Sequence, residues 1–281
     1  MGILIADSGG STTDWAYIGN DAQVHKCTTA GMNPNYTSDE ALLSITHEAF
    51  LDIPIKQLTG IYLYSAGVSK PENRMRIEKI ICQRWDSNIY VETDLLGSAR
   101  ALFDSNKGIA CILGTGSNAG YYNGHTFEFQ SPSMGYLLDD PGSGFDMGKQ
   151  VLKDFFYEQL PEEIVATLNQ RYSLTRNSVL QAFYYEAFPN RFIASFASVL
   201  SDFRELPYTR QVVTDSLRRF VQSELNVVMN KEKAPIGFTG SIASAFQDEL
   251  EQVLKENNLG EIQIVSKPID RLIKYHMRHL Q

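Results

Sequence analysis

The stretch Asp7–Asp14 (DSGGSTTD) places Gly9, Gly10 and the hydroxyls of Ser11, Thr12 and Thr13 between two short apolar runs, behind the acid Asp7. A hairpin turn needs only about two such residues. Glycine lets the backbone come close to an anion, successive amides can point at phosphate oxygens, and the hydroxyls add donors. Asp7 can hold Mg²⁺ through water, the mode that magnesium prefers. The alternative is a solvated hairpin. A second stretch of the same kind, Leu113–Asn118 (LGTGSN), carries Gly114, Thr115, Gly116, Ser117 and Asn118. Two such turns could clamp opposite sides of one polyphosphate. In ETDLLGSA, Asp94 stands where a strand gives way to a helix, either to cap that helix or to accept a proton from an attacking hydroxyl. Gly240 and Ser241, in GFTGSIASAF, lead from strand into helix. That is an ordinary helix entry, and a glycine there also lets a flat aromatic base lie on the backbone. Gly135–Phe145 (GYLLDDPGSGF) holds two acids, a proline and three glycines, too many for a simple connector.

Other chemistries find no support. There is no G-x-x-x-x-G-K-[ST] phosphate loop and no G-x-S-x-G nucleophile elbow. The histidines (His25, His47, His125, His276, His279) read as surface or core residues. Cys27, Cys82 and Cys111 are odd in number and far apart, with neither metal-ligand spacing nor a disulfide framework.

The elements that must position these loops follow from periodicity. GILIAD, DWAYIG and QVHKCTT read as strands. Residues 38–52 are helical, with Ser38 as N-cap and Leu42, Leu43, Ile45, Ala49 and Phe50 as the apolar stripe. GIYLYSAG is a buried strand. ENRMRIEKIICQRW is a helix with Met75, Ile77, Ile80, Ile81 and Trp85 on one side. NIYVETD is a strand and LLGSARALF a helix. The pattern then restarts at KGIACILGTGSNAGYYNGHTFEFQ, so LGTGSN occupies in the second half the place that DSGGSTTD occupies in the first. This is an internal repeat of supersecondary structure with little residue identity. A helical segment from Ser143 to Asn230 interrupts the second copy. The copy resumes with the strand APIGFTG, a helix from Ile242 to Glu256, the strand EIQIVS and a final helix. The domains are therefore expected at 1–106 and 107–281, closely packed with a cleft between them.

The chain has 281 residues, 43% of them hydrophobic, and a formal net charge of -8. That length supports a sizeable core. The negative charge argues against nucleic acid and against an anionic membrane as partners, but not against a nucleotide that brings Mg²⁺. No stretch approaches the ~18 apolar residues of a membrane span. Asp7 interrupts the first apolar run and no basic region precedes it, so no signal peptide is read. A cytoplasmic protein is expected.

Taken in order, DSGGSTTDW, GMNPN, YSAGVS, ETDLLGSA, LGTGSN, GYLLDDPGSG and FTGSIA resemble the sugar kinase, actin and heat-shock chaperone superfamily over nearly the whole chain. Within it the chain is similar to N-acetylglucosamine kinases, which share a family with the ATPase activators of benzoyl-CoA reductase and 2-hydroxyacyl-CoA dehydratase. The resemblance implies an α/β fold of two ribonuclease-H-like (actin-like ATPase) domains around a central nucleotide cleft. It implies ATP and Mg²⁺ as cofactors. The implied reaction is phosphoryl transfer to a hexose hydroxyl, with an amino sugar such as N-acetylglucosamine or glucosamine as substrate. It also implies roles for residues. Gly9, Gly10, Ser11, Thr12 and Thr13 would hold the β- and γ-phosphates with Asp7 near Mg²⁺, and Gly114, Thr115, Gly116 and Ser117 the other phosphate face. Gly240 and Ser241 match the adenosine loop, Asp94 the general base, and Asn33, Asn118 and Asp140 the sugar contacts. A homodimer is compatible with it. Ser133 and Met134 stand where animal N-acetylglucosamine kinases have Gly-Trp, so the acetyl pocket is expected to differ. The late adenosine segment, here SKPIDRLIKYH, lacks its glycines. The rival readings are an ATPase activator, which the unpaired cysteines disfavour, and a nucleotide-dependent sensor without transfer activity.

Overall fold

A computed structural model describes residues 2–51, 55, 57–186 and 188–279. Its strands form two five-stranded mixed sheets. The first contains β1 (Gly2–Ser8), β2 (Thr12–Ile18), β3 (Val24–Ala30), β4 (Leu58–Ser65) and β5 (Ile89–Thr93), in the order β3-β2-β1-β4-β5. The second contains β6 (Gly108–Leu113), β7 (Ser117–Tyr122), β8 (Phe127–Gln130), β9 (Ile236–Thr239) and β10 (Ile262–Val265). Its order, β10-β9-β6-β7-β8, is the same arrangement traversed from the other edge. In each sheet the first three strands are an antiparallel meander and the last two pair in parallel. The repeat read from the sequence is therefore a repeat of topology.

The chain divides into two compact units. The first is Met1–Asn106, Gly124–Thr126 and Lys267–Gln281, and the second is Lys107–Asn123 and Phe127–Ser266. In the first unit, β1 is the central strand, between antiparallel β2 and parallel β4, and is buried on both faces. Leu4 and Ala6 point into one layer with Trp15, Leu42, Ile77 and Ile81, under helices Asp39–Glu48 and Pro71–Ile81. Ile5, one residue out of phase, points the other way with Ala16, Ile18 and Tyr64. Ser38 caps the first of these helices by accepting the Ala41 N–H (3.2 Å). Met75, expected on the buried stripe, is 60% exposed, because Ile77, Ile80 and Ile81 already fill that face.

The final helix corrects a sequence expectation. Sequence order places residues 267–281 in the second domain, yet helix Ile269–His279 belongs to the first unit. Ile269, Leu272 and Ile273 complete the layer around Ile5, Ala16 and Tyr64. His276 is buried there 2.9 Å from the Tyr64 hydroxyl, which Arg100 also reaches (2.8 Å). Burial, followed by the charges of Arg100 and His279, pushes His276 down to about 3, so it packs as a neutral ring.

In the second unit one core joins the sheet (Ile109, Cys111, Leu113, Phe238) to the inserted helices (Met147, Phe196, Leu200, Val213, Leu217). The insertion runs from helix Gly144–Phe156 to a continuous helical stretch, Pro207–Met229, that contains a π-helical turn at Val221–Leu225. The single helix expected after β9 is two helices, Ser241–Ala245 and Gln247–Glu256, parted at Phe246. Phe246 leaves helical geometry (ψ 42°) and is buried in this core. No helix among the described residues is long and apolar enough to cross a membrane.

Candidate active site

In the first unit the chemistry gathers at the carboxyl ends of β1, β4 and β5, where Ser8 pairs with Ser65 and Ser65 with Thr93. Ligands of open parallel sheets sit at such edges. Asp7 continues the Ile3–Ile5 row. Asp94 is the first residue of helix Asp94–Phe103, and its Oδ1 accepts the Leu95 N–H (2.9 Å) while Thr93 caps the helix. Asp7 also faces Asp14 across the hairpin. Burial, then the charges of Asp94 and Asp14, push the Asp7 carboxyl up to about 8. Asp7 thus bears the repulsion of two further acids, which a hard divalent cation would relieve. Among the described residues no three His, Cys, Asp or Glu side chains are grouped to hold a metal by themselves. Magnesium is commonly bound by one or two carboxylates and completed by water and phosphate.

The turn between β1 and β2 closes with Gly9 N–H on Thr12 C=O (3.0 Å). Gly31 buttresses it: its N–H donates to Ser11 C=O (3.0 Å), and a methyl on Gly31 would stand 2.7 Å from Gly9 C=O. Thr13 does not share the turn's open side. It is buried, with its hydroxyl 2.8 Å from Ser8 Oγ and 3.0 Å from Ala30 C=O, so it ties β1 to β3. Asn33 lies in the loop after β3, where its Oδ1 accepts the Asn35 N–H (3.0 Å). Gly67, at φ +79°, packs so closely on Asn33 that a methyl would overlap Asn33 Oδ1. Asn73 joins the cluster by donating to Asn35 Oδ1 (2.8 Å) and Gly67 C=O (2.7 Å).

The second unit repeats the device. The turn Gly114–Gly116 closes with Gly114 N–H on Gly116 C=O (2.9 Å). Helix Gly144–Phe156 donates its first amides to this turn, Gly144 to Gly114 C=O (2.8 Å) and Phe145 to Thr115 C=O (3.1 Å). A methyl on Gly114 would meet nothing within 4 Å. Ser117 Oγ is buried and has no hydrogen-bond partner among the described residues. The open space at Gly114 leaves room for an anion beside the turn, and the buried Ser117 hydroxyl is one that needs a partner. Gly240 (φ +107°) packs on the base of the turn, where a methyl would overlap Leu113 C=O; packing alone thus demands glycine there. Ser241 is exposed.

No family model matches the chain, and no curated protein matches it. Solved structures do. A "putative N-acetylglucosamine kinase" from Porphyromonas gingivalis is 30% identical, over 99% of this chain and 100% of that one, with a TM-score of 0.86. The chain belongs to the N-acetylglucosamine kinase-like family of the actin-like ATPase superfamily. A similarly described protein from Chromobacterium violaceum (16% identity, 98% of each chain, TM-score 0.68) shares the fold. So does a ROK family glucokinase from Streptomyces griseus in complex with glucose and AMPPNP (12% identity, 98% of each chain, TM-score 0.59).

In this N-acetylglucosamine kinase-like chain, Asp140 sits directly on the second turn. Its Oδ1 accepts the Ser117 N–H (3.2 Å), and a methyl on Gly116 would stand 2.8 Å from its Oδ2. Burial first, then Asp139 and Asp146, push it up to about 6 against the pull of the Ser117 N–H. Asn118 follows, its Oδ1 accepting from Ala119 N–H (2.8 Å) and Ser131 Oγ (3.2 Å). Met134 is 62% exposed. Gly31, Gly67 and Ser131 escaped the sequence reading, although the two glycines lie inside the GMNPN and YSAGVS motifs that carried the resemblance.

Proposed function

We propose that this member of the family is an ATP-dependent sugar kinase acting on an amino sugar. The observation that carries the reading is the meeting of Asp7 and Asp94 at the carboxyl edge of the first sheet, beside a glycine turn whose counterpart recurs in the second unit. In this reading Gly9, Gly10, Ser11 and Thr12 hold phosphate oxygens from one turn, and Gly114, Thr115, Gly116 and Ser117 from the other. Thr13 contributes by bracing its turn. Asp7 would hold Mg²⁺, which with ATP supplies charge neutralisation and the transferable phosphoryl group. Gly240 and Ser241 would lie along the adenosine, and Asn33, Asn118 and Asp140 would take sugar hydroxyls.

Asp94 is the base. Leu95 N–H fixes its carboxylate, and the helix N-terminus favours an anion there. As the sugar oxygen bonds to the γ-phosphorus, the hydroxyl proton passes to Asp94 and the bond to the ADP oxygen breaks. Positioning and electrostatics carry most of the rate in such reactions.

The exposed Met134, flexible where Trp would be a rigid wall, supports a loose 2-substituent pocket. N-acetylglucosamine and glucosamine should therefore differ in kcat/KM by less than ~100-fold, the range of contacts to about one methyl group. The test is ADP release across a sugar panel. Sugar-dependent ADP release supports the kinase, and ADP release that ignores every sugar refutes it. A preference for either amino sugar far beyond that bound would refute the loose pocket alone.

A further inference from the structure

The stretch Gly135–Phe145 holds more than a connector needs, and Asp140 alone does not account for it. Asp140 adopts φ +65° directly before Pro141, and Gly142 follows at φ +76°. A proline ring ordinarily pushes the residue before it into extended backbone, so this conformation persists only where the surroundings hold it. On one side the Ser117 N–H donates to Asp140 Oδ1 (3.2 Å). On the other runs a buried chain of hydrogen bonds. The Gly142 N–H donates to Ser216 Oγ (3.1 Å), and Ser216 Oγ donates to Asp146 Oδ2 (2.6 Å). Arg219 Nη2 donates to the same oxygen (2.6 Å), and Lys149 Nζ lies 3.5 Å from Oδ1. Ser216 and Arg219 belong to helix Pro207–Phe220, which packs on helix Gly144–Phe156.

Asp146 stands three residues after the helix cap Ser143, whose Oγ accepts the Asp146 N–H (3.2 Å). An acid at that place ordinarily reaches back to the amide of the cap. Here it is turned onto the neighbouring helix and buried there. A buried carboxylate is costly unless it is paired, and Ser216, Arg219 and the helix N-terminus offset that cost. Burial alone would raise Asp146, but the hydrogen bonds from Ser216 and Arg219 and the charges of Arg219 and Lys149 hold it below its ordinary 3.8. Ser216 has one hydroxyl proton. A carboxylate only accepts and an amide N–H only donates, so that proton must point to Asp146 and a lone pair to Gly142. Asp146 thereby orients the acceptor that Gly142 meets.

We propose that Asp146 is a positioning residue of the sugar site, acting through Ser216 and the Gly142 N–H to hold Asp140 in place. The inference rests on the reading of Asp140 as a sugar contact. Gly142 lies flat on the helix that presents Ser216, since a methyl there would stand 2.8 Å from Phe220 Cβ. Ser216 and Phe220, four residues apart, meet it from one helix face. Pro141 joins this anchored glycine to Asp140, and its fixed φ leaves little slack between them. A Gly142 that loses its acceptor therefore displaces the carboxylate two residues away.

Steady-state kinetics with each substrate varied in turn tests this. Asp146→Ala and Ser216→Ala should each raise the sugar KM about tenfold, the effect of one or two lost hydrogen bonds, with kcat and the ATP KM changed far less. Asp146→Asn, whose side-chain oxygen still accepts from Ser216, should restore the KM. The two residues act in series, so the double alanine variant should be no worse than Ser216→Ala alone. A readout independent of turnover is hydrogen exchange at the Gly142 amide. It should quicken in both alanine variants and stay slow in Asp146→Asn. Should Asp146→Ala not fold, Ser216→Ala and Asp146→Asn carry the same test. Wild-type protein that turns over no sugar would overturn the kinase reading. The inference about Asp146 fails separately, if sugar is turned over and the alanine variants lose Tm but keep the wild-type KM, if their effects on KM add, or if Gly142 exchanges alike in all of them.

Discussion

Asp7 and Asp94 carry opposite demands at one sheet edge. Asp94→Asn keeps the shape and the hydrogen bond from Leu95 but removes the proton acceptor. We expect kcat to fall by roughly 10²–10⁴-fold with little change in either KM, the usual worth of a positioned base. Near-normal ADP release would dismiss Asp94 from that role. Asp7 answers to stability as well. Its folded value of about 8 lies above the ordinary 3.8, so it destabilises the fold progressively as pH rises through that interval. In EDTA, Asp7→Asn should therefore melt above wild type, by a margin that widens from pH 5 to pH 8. Mg²⁺·ATP should narrow the margin by stabilising wild type alone. Melting curves that keep a fixed separation across pH and ligand would refute a cation role for Asp7.

Two glycines separate fold from site at the scale of single elements. Gly67→Ala forces a side chain into φ +79° and against Asn33 Oδ1. It should cost about 1–3 kcal/mol of stability and raise the sugar KM. Gly114→Ala meets nothing within 4 Å. Its stability should stay within about 0.5 kcal/mol of wild type, while the added methyl raises the ATP KM by blocking phosphate approach. An unchanged ATP KM would argue that the second turn holds no phosphate. Both turns were legible in the sequence, because a glycine and hydroxyl cluster that interrupts period-2 apolar runs marks where one strand ends and the next begins. The buttresses were less so. Thr13 looks like any other turn hydroxyl until its strand pairing shows it facing inward. The break at Phe246 leaves no trace in periodicity, since Ile242, Ala243, Leu250 and Val253 fit one helix as well as two.

Connectivity matters most for the molecule as a whole. The sequence shows that residues 269–279 are amphipathic, and cannot show which of two similar sheets they cover. The order β10, then helix, suggested the nearer one; the layer of Ile5, Ala16, Ile18 and Tyr64 takes it instead. A chain ended at Ser266 should consequently lose stability in the first unit while the second stays folded. Hydrogen exchange would show early loss of protection over β1, β2 and β4 with β6 and β9 protected, and uniform protection would refute the assignment.

That return of the chain has a consequence for synthesis. On the ribosome the first sheet emerges with one face only partly covered, by helix Asp94–Phe103. The helix that completes the cover is made only after residues 107–266, roughly 8–30 s later at ~5–20 residues per second. Meanwhile the second unit, residues 107–123 and 127–266, can close on its own core. The first unit to be translated is thus the last to be finished. For that interval Ile5, Ala16 and Ile18 are an adhesive surface on a nascent chain, the stage at which this protein most needs a chaperone.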